Sequence, residues 1–124
     1  MATDRIEKMN SILRELRSNL QEIEAAVLIS SDAMALASDI SDETDEEMIS
    51  ALSASVLGMG ERAARDLKRG SLDQVYVKGD LGYLLLMHCG PDALLSLLAR
   101  PEAKLGVVFM EAKRTAEELS KLFE

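Results

Sequence analysis

Residues 72–98 read LDQVYVKGDLGYLLLMHCGPDALLSLL. Three apolar runs are separated by two short clusters of Gly, Asp and Pro. Leu72–Lys78 is strand-like, with branched and aromatic residues. Tyr83–Cys89 is a continuous apolar run, as expected of a strand buried on both faces, and Ala93–Leu98 is a third. Gly79-Asp80-Leu81-Gly82 and Gly90-Pro91-Asp92 are turn sequences. Connections this short join antiparallel neighbours, so the segment predicts three successive hairpin-linked strands.

Upstream, residues 44–68 predict a helix. Met48, Leu52, Val56, Met59, Ala63 and Leu67 recur at spacings of three and four and form its apolar stripe. Ala51, Ala54, Ser55 and Gly58 form a second stripe of small residues, which lets another backbone approach closely. Gly58 and Gly60 inside a helix each cost about 1 kcal/mol relative to Ala, so a packing reason is expected for them. The acidic run 39–47, DISDETDEE, leads into this helix. Asp42 or Thr44 is expected to cap it, Thr44-Asp45-Glu46-Glu47 fits a capping box, and Glu46 and Glu47 favour the positive end of the helix dipole. Lys68, Arg69 and Gly70 end it, with cations at the negative pole and then a glycine cap.

Further upstream, residues 24–30 and 33–38 predict a hairpin with a tight turn at Ser31-Asp32, and residues 4–21 predict a helix. Ile6, Met9, Leu13, Leu16 and Leu20 form its apolar face, and Asp4 with Glu7 is placed to cap its start. Downstream, Arg100-Pro101-Glu102 breaks the chain. Residues 103–123 predict a closing helix with Leu105, Val108, Phe109, Ala112, Ala116, Leu119 and Phe123 on one face. Its first residues, LGVVFM, have strand composition, but the helical period that continues through Leu119 decides for helix. The result is an α+β fold, order α-β-β-α-β-β-β-α, in one domain over residues 1–124. A five-stranded, mostly antiparallel sheet lies between the terminal helices on one face and the middle helix on the other.

Composition narrows the function. A chain of 124 residues, 48% hydrophobic and 29% charged, is an ordinary globular domain. Its 14 Lys+Arg against 22 Asp+Glu give a net charge of −8, which argues against binding nucleic acid or anionic membrane. With four aromatic residues and no Trp, base stacking has little to work with. The single Cys89 excludes an intrachain disulfide and a multi-cysteine metal site. No apolar segment precedes the charges that begin at residue 4, and no apolar stretch approaches the length of a membrane helix, so a cytoplasmic setting is expected. His88 and Cys89 are adjacent in a strand and point to opposite faces, so they form no nucleophile–base pair. Gly58-Met59-Gly60 lacks the following Lys-Ser/Thr of a phosphate loop and lies within a helix. No enzyme activity, cofactor or metal is expected.

The element order resembles the roadblock/dynein-light-chain family, particularly its archaeal and bacterial branch. The segments that carry the resemblance are IEAAVLISSDAMALAS, SALSASVLGMGERAARDL, QVYVKGDLGYLLLMHCG and AKLGVVFMEAKRTAEEL. It covers residues 5–122. One departure is Asp32-Ala33 in the first hairpin turn, where family members often have Asp-Gly. The resemblance implies a longin-like fold and dimers in which the third strand and the middle helix pair across two chains. It also implies binding and regulation of Ras-like small GTPases, as activator or scaffold. The expected partners are therefore a second copy of the chain and a Ras-like small GTPase. The expected contact residues are Ala51, Ala54, Ser55, Gly58, Arg62 and Arg65 of the middle helix, with Gln74 and Tyr76 of the third strand.

Two routes to GTPase regulation exist: an inserted arginine, or binding of the GTPase's mobile loops in a productive arrangement. The resemblance favours the second, and Ala54→Arg is the expected disrupting change. A plain scaffold is the neighbouring reading. A small-ligand sensor of profilin-like architecture is the alternative from another class, and it requires an enclosed polar pocket. Acidic residues at one end of the middle helix and basic ones at the other give the proposed docking surface a contrast of sign.

Overall fold

Three antiparallel strands linked by tight turns do form from residues 74–99, and the rest of the chain is built around them. The structure, a computed structural model, describes the backbone of residues 2–123 and side chains from residue 4. The elements are α1 (Ala2–Asn19), β1 (Ile23–Ser30), β2 (Ala35–Asp39), α2 (Glu46–Asp66), β3 (Gln74–Gly79), β4 (Gly82–His88), β5 (Ala93–Ala99) and α3 (Leu105–Ser120), followed by a 3-10 turn at Lys121–Phe123. This is the expected α+β order. The sheet runs β2-β1-β5-β4-β3, and every neighbouring pair is antiparallel. The first hairpin therefore docks through β1 onto β5, and β2 and β3 are the two edges.

The terminal helices cover one face. Met9, Leu13 and Leu16 of α1 and Val108, Ala112, Ala116 and Leu119 of α3 bury against Leu28, Leu85, Leu95 and Leu97. Ile6, expected on the α1 stripe, is 46% exposed, and among the described side chains the buried stripe starts at Met9. Asp4 lies in the first turn of α1 rather than before it, since the helix begins at Ala2. Cys89 is buried on this face, and its thiol donates to the Ala116 carbonyl at 3.3 Å.

Helix α2 covers the other face with a smaller core of Leu57, Val27, Ile29, Leu86 and Leu94. Its N-cap is Asp45, not Asp42 or Thr44: the Asp45 carboxylate accepts from the Met48 N–H at 3.0 Å. Ser41 and Thr44 hydroxyls bond each other instead. The left-handed cap comes two residues before the expected glycine. Lys68 adopts a φ of 58°, its N–H bonds to Arg65 O, and Arg69 N–H bonds to Ala64 O at 2.7 Å. These paired bonds close the last turn as a Schellman motif.

The course of α2 is fixed by three contacts along one cross-strand row, Ser38–Val27–Ser96–Leu86–Val75. At its start the Ser38 hydroxyl donates to Glu46 Oε2 at 2.5 Å. In the middle the buried Ser53 and Ser96 hydroxyls bond at 2.8 Å. Near its end Gly60 lies over Val75, so closely that a Cβ there would meet Val75 Cγ2 at 2.8 Å. The helix thus crosses the strands from one edge to the other.

The two edges differ. On β2 the Ser38 N–H donates to Asn10 Oδ1 at 3.1 Å. Arg17 Nη1 donates to the Asp39 carbonyl at 3.1 Å and to its carboxylate at 3.2 Å. Helix α1 therefore closes that edge with its own side chains. Among the described residues no side-chain hydrogen bond reaches the β3 backbone.

Candidate partner-binding surface

Helix α2 places small and polar side chains against the sheet and large apolar ones in water. Ser50, Ser53 and Leu57 are its buried residues. Met48, Leu52, Met59 and Leu67 are 57%, 55%, 69% and 66% exposed, and Ala63 is exposed too. This overturns the expected core stripe, of which only Val56 is half-buried. The physical reason is distance. The face of the sheet beneath α2 is already filled by Val27, Ile29, Leu86 and Leu94, and the Ser53–Ser96 bond and the Gly60–Val75 contact hold the helix axis close. At Ser50, Ser53 and Gly60 only a small side chain fits between, with Leu57 lodged beside them in the core. An apolar side chain left in water forgoes roughly 1.5–3 kcal/mol relative to burial, and three such side chains on α2 with Leu67 at its C-cap make this side a candidate docking surface.

Of the expected contact residues on α2, all but one fall on this surface. Ala51, Ser55, Gly58, Arg62 and Arg65 are all exposed and follow one another at helical spacing along the outer side. Ala54 is half-buried and turns sideways into a hollow shared with Leu57, Glu61, His88 and Leu94. Ala54→Arg would strain that packing, so Ser55 is the cleaner site for a disrupting change. Arg62 and Arg65 both reach Asp66, at 3.4 and 3.5 Å. These pairs are exposed and contribute little to stability.

The two helix glycines separate. Gly60 has its reason within the chain, the contact with Val75, whereas a Cβ on Gly58 would meet nothing within 4 Å.

Gln74 and Tyr76 lie on the β3 edge and face the α3 side of the sheet, away from α2, because they pair with Met87 and Leu85. Tyr76 is 51% exposed and stacks edge-on against Phe109, with ring centroids 6.0 Å apart. The surface is therefore in two parts joined at β3: the outer side of α2 and the bare strand edge. Sequence reasoning missed Leu52, Met59, Val77 and Leu81 as surface residues. The available signal was that α2 carries more apolar positions than one face can bury.

His88 and Cys89 do point to opposite faces. His88 Nε2 lies 3.8 Å from Glu61 Oε2, while Cys89 is inside. Among the described residues no His, Cys, Asp and Glu group is arranged to hold a metal, and no helix is long and apolar enough to cross a membrane. A hollow of about 450 Å³ lies between the β1–β2 turn and the start of α2, lined by Met34, Glu46, Glu47 and Ser50. Every buried side-chain nitrogen and oxygen among the described residues has a hydrogen-bond partner.

Comparison with known proteins agrees with this architecture. The chain is 26% identical to the uncharacterized protein MJ1340 of Methanocaldococcus jannaschii, over 93% of this chain and 99% of that one. It superimposes on a Roadblock/LC7 domain from Streptomyces avermitilis with a TM-score of 0.86 at 22% identity, covering 92% of this chain and 96% of the other. With the gliding protein MglB from Thermus thermophilus the TM-score is 0.84 at 22% identity, over 95% and 90% of the two chains. Residues 9–99 match the family model for the Roadblock/LC7 domain, and with the element order and the helix-covered sheet described above, the chain belongs to the Roadblock/LC7 domain family.

Proposed function

We propose that the chain is a homodimeric, non-catalytic regulator that binds a Ras-like small GTPase on its paired α2 helices and stimulates or scaffolds GTP hydrolysis by it. The observation that carries this reading is the inverted burial of α2, with serines against the sheet and Met48, Leu52, Met59 and Leu67 in water. Family membership supports it, because the resemblance to roadblock proteins implies dimers and regulation of Ras-like GTPases. The α2 surface also has a contrast of sign, Asp45, Glu46 and Glu47 at one end and Arg62, Arg65 and Lys68 at the other, which orients a charged partner. A cytoplasmic setting belongs to the same proposal.

The mechanism needs no group from this chain in the reaction. A partner that binds the GTPase's mobile loops only in their productive arrangement shifts their population, by as much as its affinity for the two arrangements differs.

The test is copurification of the chain with a Ras-like GTPase encoded in the same genome, loaded with GTP or GDP. Hydrolysis is then measured with and without the chain. Retention of the GTP form is expected, and Ser55→Arg is expected to abolish it while leaving the fold intact. Unchanged retention by Ser55→Arg rules out this surface. Retention without any change in hydrolysis makes the chain a scaffold.

A further inference from the structure

We infer that the partner GTPase is recognised through one of its lysine or arginine side chains, which enters the hollow beside Ala54 with its stem on Leu57 and Leu94 and its charge at Glu61 and Asp92. This rests on the GTPase reading above and names the anchor of that contact.

The two flanks of α2 differ in chemistry. Ile49, Leu52, Val56, Met59 and Ala63 follow one another at helical spacing along one flank, and none is charged. Ala51, Ala54, Gly58 and Glu61 follow one another along the other. The second flank offers a partner little apolar area, but it lets the partner come close. Gly58 has open space around it, since a Cβ there would meet nothing within 4 Å. A partner backbone can pass beside α2 at this point, and a side chain projecting from it reaches the hollow.

The hollow has room for one side chain. Its volume is about 220 Å³. A cavity of about 150 Å³ holds a benzene molecule, whereas small-molecule sites run from about 300 to 1,000 Å³. Its floor is apolar, formed by the buried Leu57, Ala93 and Leu94. Its mouth is acidic, with Glu61 from α2 and Asp92 from the β4–β5 turn, both exposed. Backbone bonds hold the mouth in place. The Ser31 N–H donates to the Asp92 carbonyl at 3.0 Å and ties the two turns together, and the Cys89 N–H donates to the Ala93 carbonyl at 2.8 Å and closes the turn that carries Asp92. A site already in its bound shape loses less freedom on binding.

Charge selects the occupant. Among the described residues the Asp92 carboxylate enters no ion pair, and the one cation-capable neighbour of Glu61 is His88, at 3.8 Å. That is beyond hydrogen-bond range, so both carboxylates are open to a partner. Arg65, one turn along from Glu61, is already drawn to Asp66 at 3.5 Å. A purely apolar side chain would fill the floor but strip water from two unpaired carboxylates, and an acidic one would be repelled. Lysine and arginine satisfy both parts of the hollow. Their methylene stems bury on Leu57 and Leu94 while the charged head stays at the mouth, where a carboxylate gives a charge-assisted hydrogen bond.

The anchor is tested with the GTP-loaded GTPase of the copurification above. Glu61→Gln and Asp92→Asn are each expected to weaken binding about 10-fold, the lower end of the couplings measured for close charge pairs across interfaces, and to make it less sensitive to salt. Each exposed lysine and arginine of the GTPase is then changed to methionine in turn, and its affinity is measured for the native chain and for Glu61→Gln. One of these changes is expected to weaken binding to the native chain and to add little in Glu61→Gln, the mark of a direct pair. Additive losses for every cation overturn the anchor. Unchanged binding by both Glu61→Gln and Asp92→Asn, with Ser55→Arg still abolishing it, also overturns the anchor and leaves the docking surface standing. No binding by the native chain overturns the GTPase reading and the anchor with it. The two substitutions sit at exposed positions on different elements, and urea melts check that each variant is folded. Both are expected to sediment like the native chain, and a changed mass would place the hollow between copies of the chain and overturn the proposal.

Discussion

Ala33 and Lys68 hold left-handed backbone without being glycine, with φ of 64° and 58°. Ala33 sits in the first hairpin turn, where the Ser30 carbonyl accepts from the Ala33 N–H and the Met34 carbonyl from the Ser30 N–H. The family resemblance leads one to expect glycine after the turn aspartate, and the positive φ shows why. A Cβ in this region costs roughly 1–2 kcal/mol, partly offset by the greater freedom glycine has when unfolded. Ala33→Gly and Lys68→Gly are each expected to stabilise the chain by about 0.5–1 kcal/mol in urea melts, and a loss in either would show that the turn is not held this way. Cys89 makes the second residue-scale prediction. Burial pushes its thiol up from an ordinary 9.0 to about 12. Above pH 9 the unfolded thiol gives up its proton while the folded one keeps it. The contribution is thus complete below pH 9 and is lost as pH rises towards 12, by at most about 1.4 kcal/mol per pH unit. Unfolding free energy measured from pH 8 to 10.5 is expected to fall more steeply in the native chain than in Cys89→Ala.

At the scale of the element, α2 is held by its cap and by one buried bond. Asp45→Ala removes the acceptor of the Met48 N–H and is expected to cost about 1 kcal/mol. Ser53→Ala leaves the Ser96 hydroxyl buried without its partner, an expected cost of about 1–3 kcal/mol. The double change Ser53→Ala with Ser96→Ala is expected to cost less than the two single changes added together, as a thermodynamic cycle of denaturation midpoints would show. Additive costs would mean that the two hydroxyls act separately. The same helix shows how far the sequence could be read. Its limits, its acidic start and its small-residue stripe follow from periodicity and capping chemistry. Its orientation does not, because Met48, Leu52 and Met59 repeat with the same period as Ser50, Ser53 and Leu57, and period says nothing about which set faces in. That depended on Ser96 and Val75, residues of strands distant in sequence. The edge role of β3 was legible only through family resemblance, since Gln74–Gly79 alternates like any half-buried strand, and the closure of β2 depends on Asn10 and Arg17, 28 and 22 residues away from their partners.

For the whole molecule, the single chain leaves Leu52, Met59, Ala63, Tyr76 and Val77 in water, and the proposed dimer would cover them. Ala54 and Glu61 turn to the His88 side of the sheet, so Leu52, Val56, Met59 and Ala63 lie on the opposite flank of α2. In the proposed dimer, that flank meets the neighbour's α2. Ser55, on the outer side, stays open to a GTPase. Dimerisation and GTPase binding can therefore be separated by substitution. Met59→Asp places a charge where the isolated chain has only water, so its unfolding free energy at low concentration is expected to change by less than about 0.5 kcal/mol. In the dimer the same carboxylate is trapped between two helices, where an unpaired charge costs several kcal/mol. The dissociation constant is expected to rise at least about 100-fold, equivalent to roughly 2.7 kcal/mol. Sedimentation equilibrium reads the mass directly. Thermal melts give a second readout: the native midpoint should rise with protein concentration, as mass action requires of a dimer, and the Met59→Asp midpoint should not. Ser55→Arg should melt and sediment like the native chain while losing the GTPase. If Met59→Asp remains fully dimeric, the flank is not in the interface, and the apolar face of α2 must be explained by the GTPase alone.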